Sequence, residues 1–432
     1  MKILVTGATG FIATQMITDL IAAGHQVTCC VRDTRYAERL FPQATVIRCD
    51  FLNDITAEQW LPRVQGIDVV INCVGILYHP NKKVIWAVHH DTPRALFDAS
   101  VAAGVKKIIH ISALAVDKSA VEYAKSKKAI DDYLLTLPIK AVILRPSFVY
   151  AKGSYGGSSL FRGLAGLPWI IPVPGKGEQT FQPLHNEDLA KAVLRLIEQP
   201  LSNSIILNAV GPTRVPLKDV LTTLRNWLGF PKAMLLFIPL RLIGLGARAG
   251  DLIPYSALNS SSIKMLSQNN IATDEATQQF HEHIGFVPRD FSAGVFSHPS
   301  SVQDRWHARL FFLKPALQLS LAFVWLFTAF TSAFFIPKAA AYHILAQLGN
   351  PASWQPLCLY GASAIHGILG LALLFSYQLK KVGTLQIGIM ISYTALITLL
   401  LPHLWIEPFG AMAKTLPLIV ATLILLALAS DR

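Results

Sequence analysis

Residues 5–13 read VTGATGFIA, and the architecture of the chain turns on whether this is a strand-to-helix glycine turn. A short apolar run, KILV, precedes it, and Phe11–Ala23 follows with helical spacing. Gly7 permits a tight turn, Gly10 lets the backbone approach a pyrophosphate, and Ala13 is small enough for the helix to pack on a sheet. The backbone through Thr9, Gly10, Phe11 and Ile12 would then offer unpaired N–H groups and the positive end of a helix dipole to phosphates. The same opening could pass for a signal peptide. However, Thr6, Gly7, Thr9, Gly10 and Thr14 interrupt its apolar run and Asp19 follows, so it reads as mature structure.

Working outward, the runs KILVTG, QVTCCV, TVIRC, DVVINCV, KKIIHIS and KAVILR alternate with helical segments, including Val84–Ala103, to about residue 145. Runs apolar on both faces, separated by helices, predict parallel βαβ units in a doubly wound Rossmann-like α/β sheet. From about 150 to 300 the pattern loosens into glycine-rich turns and a capped helix at Asn186, which predicts a smaller irregular lobe on the same core. Within it, Ala233–Ile253 is more apolar than a surface segment should be. It either packs inside or lies against a membrane, and packing is the preferred expectation.

The division expected is 1–300 for the nucleotide-binding domain and 301–432 for an all-α four-helix transmembrane bundle. Residues 316–335, 357–377, 384–401 and 409–429 are apolar stretches of about twenty residues, each long enough to cross a hydrocarbon core about 30 Å thick. Lys414 lies near enough to the end of the fourth to snorkel. Arg305, Arg309, Lys314, Lys380, Lys381 and Arg432 fall on one side, against Lys338 and a Lys414 balanced by Glu407 on the other. This asymmetry predicts cytoplasmic termini and a cytoplasmic N-terminal domain on a bacterial-type inner membrane, with Trp354 and Trp405 at the opposite interface.

The composition agrees: 52% of residues are hydrophobic and only 15% charged, well below the roughly 25% charged of a soluble protein. The net charge of +12 is scattered, without the basic and aromatic clustering of a nucleic-acid surface, and suits an anionic membrane face better. Cys29, Cys30, Cys49, Cys73 and Cys358 lack metal-ligand spacing and read as buried free thiols. His281 and His283 alternate around Glu282 without a third ligand, so no metal is expected.

At the end of the second strand, where a free ribose hydroxyl usually meets an acid, the chain has Arg32 and then Asp33. A guanidinium suits a 2′-phosphate, which favours NADP, with NAD the alternative because of Asp33. Ser112 ends a strand, Tyr123 follows eleven residues later, and Lys127 lies one helical turn beyond. Tyr123 and Lys127 are either a catalytic couple or the polar face of a lysine-rich helix.

TGATGFIA, CDF with Asp50, NCVGIL with Gly75, HISAL with Ser112, YAKSK and LRPSFVY occur in an order that resembles the short-chain dehydrogenase/reductase superfamily. The likeness is to its extended or atypical branch of nucleotide-sugar epimerases and dehydratases, over roughly residues 1–190. The resemblance implies that Tyr123 exchanges a proton with a substrate oxygen, Lys127 holds the ribose and favours the phenolate, and Ser112 binds the substrate oxygen. It implies cofactor contacts from Asp50 and Phe51 at the adenine, Val74 and Gly75 beneath the cofactor, and Pro146 and Phe148 at the nicotinamide end. His89 stands where the family often has a relay asparagine, and is a relay, a cap or a surface residue. The short loop ALAVD leaves little room for a deep sugar-nucleotide pocket.

The tail resembles the DoxX-like membrane family, and the whole order resembles bacterial fusions of an atypical reductase with such a bundle. This implies a membrane-anchored NADP(H)-dependent oxidoreductase acting on a small, amphiphilic carbonyl or hydroxyl compound, its oligomeric state left open. The rival implication is a non-catalytic NADPH-binding module, as in the accessory subunit of respiratory complex I that the domain also resembles. A transporter is disfavoured by the scarcity of polar groups in the spans. His366, within the second span, is either functional or bonded to a backbone carbonyl beside Gly361, Ser363 and Gly367.

Overall fold

The computed structural model describes all residues except 115, 252–258, 407–409, 411 and 431–432. Glu407, Phe409, Arg432, the end of the Ala233–Ile253 segment and Ala115 of the ALAVD loop therefore lie outside the described residues. The chain divides into two compact units, Met1–Ala308 and Arg309–Arg432.

All six expected strands form: β1 (Lys2–Thr6), β2 (Gln26–Val31), β3 (Thr45–Arg48), β4 (Val69–Asn72), β5 (Lys107–Ile111) and β6 (Lys140–Pro146). A seventh, β7 (Ile205–Ala209), joins them in a parallel sheet of order β7-β6-β5-β4-β1-β2-β3. Alternate residues feed two cores. Ile3 and Val5, Val69 and Ile71, Ile109, and Val142 and Leu144 face one; Leu4, Val70, Ile108, and Ala141 and Ile143 face the other. Helices cover both faces, which is why these strands read as unbroken apolar runs.

The first face carries α1 (Phe11–Ala22) and a helix at Asn186–Glu198, whose Leu189, Val193 and Leu196 join its core. The second carries Trp60 and the buried Leu96 and Phe97. Strand order reverses between β1 and β4, so the crevice at their carboxyl ends is the switch point where such folds bind ligands.

The expected helix Val84–Ala103 is broken into three parts. Lys82–Trp86 is α-helical, Ala87–Asp91 is a π turn, and Thr92–Ala102 is α-helical again. Such bulges rotate one residue out of helical phase. Here the displaced turn carries His89.

The expectation that Ala233–Ile253 packs inside is corrected. Met234–Ile238 forms a strand beside Ile170–Pro174 and Leu240–Gly250 a helix, and Met234, Phe237, Leu242 and Leu245 are exposed. Among the described residues this ribbon has two strands.

Three helices are long and apolar enough to cross a membrane: Val302–Phe334, which begins in the last residues of the first unit, and Gln355–Leu374 and Leu379–Leu400 of the second. The first begins upstream of the expected span, and Lys338–Gln347 forms a further helix between the first two spans. The fourth apolar stretch gives a helix only over Thr415–Ser430. At 1.5 Å per residue its 16 residues reach about 24 Å, short of a full crossing at right angles. Leu321, Trp325, Leu369, Leu373, Met390 and Leu425 form the shared core, while Phe323, Ile368 and Leu399 point outward. Apolar residues inside and out are what lipid-facing helices require. A Cβ at Gly370 would meet Leu326 at 2.8 Å, and one at Gly383 would meet Leu426 at 2.7 Å, so these glycines set the helix spacing. His366 instead packs against Trp325 and Tyr393, and its Nδ1 does not make the expected carbonyl bond.

Candidate active site

The glycine turn at the end of β1 is built for close approach. Gly7 has φ +66°, and a Cβ there would come within 3.0 Å of Val74 Cγ2. Gly10 caps α1, its N–H donates to the Gly7 carbonyl at 2.8 Å, and a Cβ on it would meet that carbonyl at 2.9 Å. No side chain caps α1, so its first N–H groups stay available to an anion. Val74 thus touches the turn across the switch point, where a pyrophosphate fits the cradle.

At the adenosine end, Asp33 accepts from Tyr36 N–H at 3.1 Å and caps the helix Thr34–Leu40. Arg32 beside it is exposed at the strand end. Asp50 organises its own turn, accepting from Leu52 N–H at 3.0 Å and the Asn53 amide at 2.7 Å. Phe51 is buried edge-on against Trp60, and its carbonyl accepts from Thr92.

The helix α2 (Glu122–Thr136) brings Tyr123 and Lys127 to one face, as their spacing of four predicts. Lys127 is buried, donates from Nζ to the Ile111 carbonyl at 2.9 Å, and lies 5.8 Å from the Tyr123 ring centroid. The pair is therefore not a solvated helix face. Gly75 runs beside it: a Cβ there would lie 3.7 Å from both Lys127 Nζ and His89 Nε2. Ser112 and Lys127 meet through the end of β5, since Lys127 binds the carbonyl immediately before Ser112.

His89 is buried, neither a surface residue nor a cap. Its ring is edge-on to Tyr123 at 5.2 Å, Ile76 N–H donates to its Nε2 at 3.1 Å, and Ser126 Oγ lies 3.0 Å from its Nδ1. Burial, with Lys127 and His110 nearby, holds its pKa well below the ordinary 6.5. A neutral ring that accepts at Nε2 carries its proton on Nδ1, so it clamps the Gly75–Ile76 loop to α2 through Ser126.

A buried polar chain missing from the sequence reading crosses the strand ends. Thr6 donates to Asn72 at 2.6 Å, and the Asn72 amide lies 3.1 Å from His110 Nδ1. His110 Nε2 is 3.6 Å from Asp131, and Asp131 accepts from Ser112 Oγ and Arg145 Nε, each at 2.9 Å. Ser112 thus spends its hydroxyl proton on Asp131, leaving its oxygen lone pairs toward other donors. Asp131 had a legible signal: it continues the Tyr123–Lys127 face at the next interval of four.

The electrostatics favour one protonation state. Burial, reinforced by Asp131, pushes the Tyr123 phenol up. The phenolate expected from Lys127 is therefore not the form of the ligand-free site, because desolvation outweighs an ammonium 5.8 Å from the ring. Burial lowers Lys127 from 10.5 to about 8, against the opposing pull of Asp131 and Cys73. Burial also raises the Asp131 carboxyl despite Arg145 and Ser112. At neutral pH the site presents a protonated phenol beside a charged amine.

Pro146 is buried, and its carbonyl accepts from Leu114 N–H at 2.9 Å. Phe148 joins an aromatic cluster with Phe161 and Phe181, ring centroids 4.9 and 6.2 Å away, above a cleft lined also by Tyr150, His185 and Trp227. The thiols Cys29, Cys30 and Cys49 are buried and Cys73 half-buried, with burial pushing Cys29 and Cys73 up to about 12.

Residues 3–209 match the NAD dependent epimerase/dehydratase family, and residues 322–423 match the DoxX-like family. The mitochondrial NADH dehydrogenase (ubiquinone) 1 alpha subcomplex subunit 9 of Rattus norvegicus is 27% identical over 219 residues, covering 49% of this chain and 56% of that protein. The ceramide reductase of Caulobacter vibrioides is 26% identical over 210 residues, covering 48% of this chain and 64% of that protein. The match thus spans less than two thirds of either relative. Among solved structures, UDP-glucuronic acid 4-epimerase from Bacillus cereus with NAD superposes with TM-score 0.55 at 18% identity, over 72% of this chain and 100% of that one. The NADPH-dependent quinone oxidoreductase of Escherichia coli with NADPH gives TM-score 0.54 at 19% identity, over 68% and 98%. These structural likenesses speak to the fold alone. The glycine cradle at a switch point agrees with the match of residues 3–209 to the NAD dependent epimerase/dehydratase family, and the apolar helices of the second unit agree with the match of residues 322–423 to the DoxX-like family.

Proposed function

We propose that this chain is a membrane-anchored NADP(H)-dependent oxidoreductase that reduces a carbonyl on an amphiphilic substrate at the cytoplasmic face. The observation that carries the proposal is the geometry of the pair: the buried Lys127 Nζ lies 5.8 Å from the Tyr123 ring centroid, beside the Gly75 loop. A bound NADPH would supply the hydride to the carbonyl carbon. Tyr123 would give its phenolic proton to the carbonyl oxygen, and the Lys127 ammonium would stabilise the phenolate left behind. Ser112 would turn its hydroxyl proton from Asp131 to the carbonyl oxygen and so orient it. His89 would hold the cofactor loop against α2.

The exposed Arg32, beside an Asp33 already engaged as a cap, supports NADP over NAD. The likeness to a protein named ceramide reductase, together with three membrane-length helices, supports a lipid-like substrate. The cytoplasmic placement rests on the Lys and Arg asymmetry of the flanking segments.

The full-length protein in lipid nanodiscs should oxidise NADPH faster than NADH with a long-chain carbonyl compound, yielding a product two hydrogens heavier. Tyr123→Phe should remove that turnover while retaining NADPH binding; full turnover by this variant would refute the assignment. The second reading is a non-catalytic NADPH-binding module within a membrane assembly. The likeness to a complex I subunit favours it, and NADPH that binds but is consumed with no carbonyl would select it.

A further inference from the structure

The first unit exposes an apolar surface that neither the nucleotide crevice nor the proton-donating pair uses. Trp169 is 84% exposed with φ 60°, in a three-residue turn closed by the Ile170 N–H donating to the Pro168 carbonyl at 2.7 Å. A bulky residue in left-handed backbone is strained, and here that strain presents an exposed indole. Met234 N–H donates to the Trp169 carbonyl at 2.9 Å, placing the strand Met234–Ile238 next to that indole. Met234 is 64% exposed, and in the helix that follows Leu242 and Leu245 are 59% and 62% exposed.

Between residues 231 and 250 the ionisable side chains are Lys232, Arg241 and Arg248, all cationic and all exposed. At the end of the helix the Asp251 carbonyl accepts from the Tyr78 hydroxyl at 2.7 Å. Tyr78 lies three residues beyond Gly75, so this surface is tied to the loop beside Lys127.

We infer that Trp169 and the segment Met234–Leu245 form a membrane-docking surface that seats in the headgroup region of an anionic bilayer. Indoles favour that depth, exposed leucines on a short helix bury there, and cations beside them meet lipid phosphates. A water-facing surface has no use for these three features together. The same chain carries three helices of membrane-crossing length, so a bilayer is the apolar phase tethered to this domain. Docking would hold the Gly75 loop at the lipid surface, a role separate from proton transfer at Tyr123.

The test uses the full-length protein in single-chain nanodiscs of mixed phosphatidylglycerol and phosphatidylcholine. Spin labels at Leu242→Cys, Leu245→Cys and, as a water-exposed reference, Glu38→Cys are read by collision with oxygen and with a water-soluble nickel chelate. Labelled unsubstituted protein supplies the background from Cys73 and Cys358, which are only half-buried. At 242 and 245 nickel collisions should fall several-fold below those at 38 while oxygen collisions rise. Lys232→Glu/Arg241→Glu/Arg248→Glu should restore nickel access. Nickel access at 242 and 245 equal to that at 38 would overturn the inference. Protection confined to discs loaded with two chains would also overturn it, by assigning the surface to a second copy. NADPH oxidation with a short water-soluble carbonyl reports on the oxidoreductase reading independently of either result.

Discussion

Replacing Lys127 with methionine tests the electrostatic reading of the site without any knowledge of the substrate. Burial lowers the amine from 10.5 to about 8. At ~1.4 kcal/mol per tenfold change in proton affinity, the folded protein bears about 3 kcal/mol for keeping that ammonium charged. Between pH 8 and 10.5 the unfolded chain binds the proton and the folded chain does not, so stability from this group rises with pH across that window. It is fully present above about 10.5 and lost as pH falls through about 8.

Methionine fills the volume without charge. It escapes the penalty but forfeits the bond to the Ile111 carbonyl, a loss of about 1–3 kcal/mol. At neutral pH the ligand-free variant should therefore be as stable as the parent or slightly more so. Its advantage over the parent should shrink by about 2–3 kcal/mol from about pH 7 to about pH 10. At about 2–4 °C per kcal/mol, that is a relative Tm change of roughly 4–12 °C, readable from the fluorescence of the buried Trp60 during heating. A parent–variant difference that stays flat across this range would refute the claim that a desolvated ammonium sits beneath Tyr123.

Other substitutions probe the remaining parts. Tyr123→Phe keeps the ring edge against His89 and should cost turnover about 10²–10⁴-fold, with NADPH affinity by fluorescence titration unchanged. Arg32→Ala should weaken NADPH binding by about 10–100-fold, the worth of one or two charge-assisted hydrogen bonds, and leave NADH binding as it was. Gly7→Val sets a branched side chain at φ +66° against Val74, and should abolish nucleotide binding in the same titration. Asp131→Asn takes the buried carboxylate from Arg145, which keeps its half-exposed partner Asp117, and should destabilise by about 1–3 kcal/mol in thermal unfolding. Reductive turnover should fall as pH rises through about 8, where Lys127 loses its proton, and Lys127→Arg should move that fall upward.

The sequence by itself determined the periodic and local features. Runs apolar on both faces can only be strands covered on both sides, so KILVT, VVIN and KIIHI announced a doubly wound sheet before any contact was known. The glycine turn was equally local, because positive φ and backbone approach at Gly7 and Gly10 leave room for no side chain. The closeness of Tyr123 and Lys127 followed from helical spacing, and of the four spans expected from length and apolarity three form helices of crossing length among the described residues.

Tertiary structure alone decided what depends on partners distant in sequence. Thr6, Asn72, His110, Ser112, Asp131 and Arg145 form one buried chain because four neighbouring strands end together, and no local pattern encodes that coincidence. The π turn that points His89 at Ile76 left no mark in the helical periodicity around it. Burial, too, is a property of packing. Lys127 looked like one lysine among several in YAKSKKA, yet it alone of the three is buried. Desolvation sets which of these groups carries a proton, and only the packed structure sets desolvation.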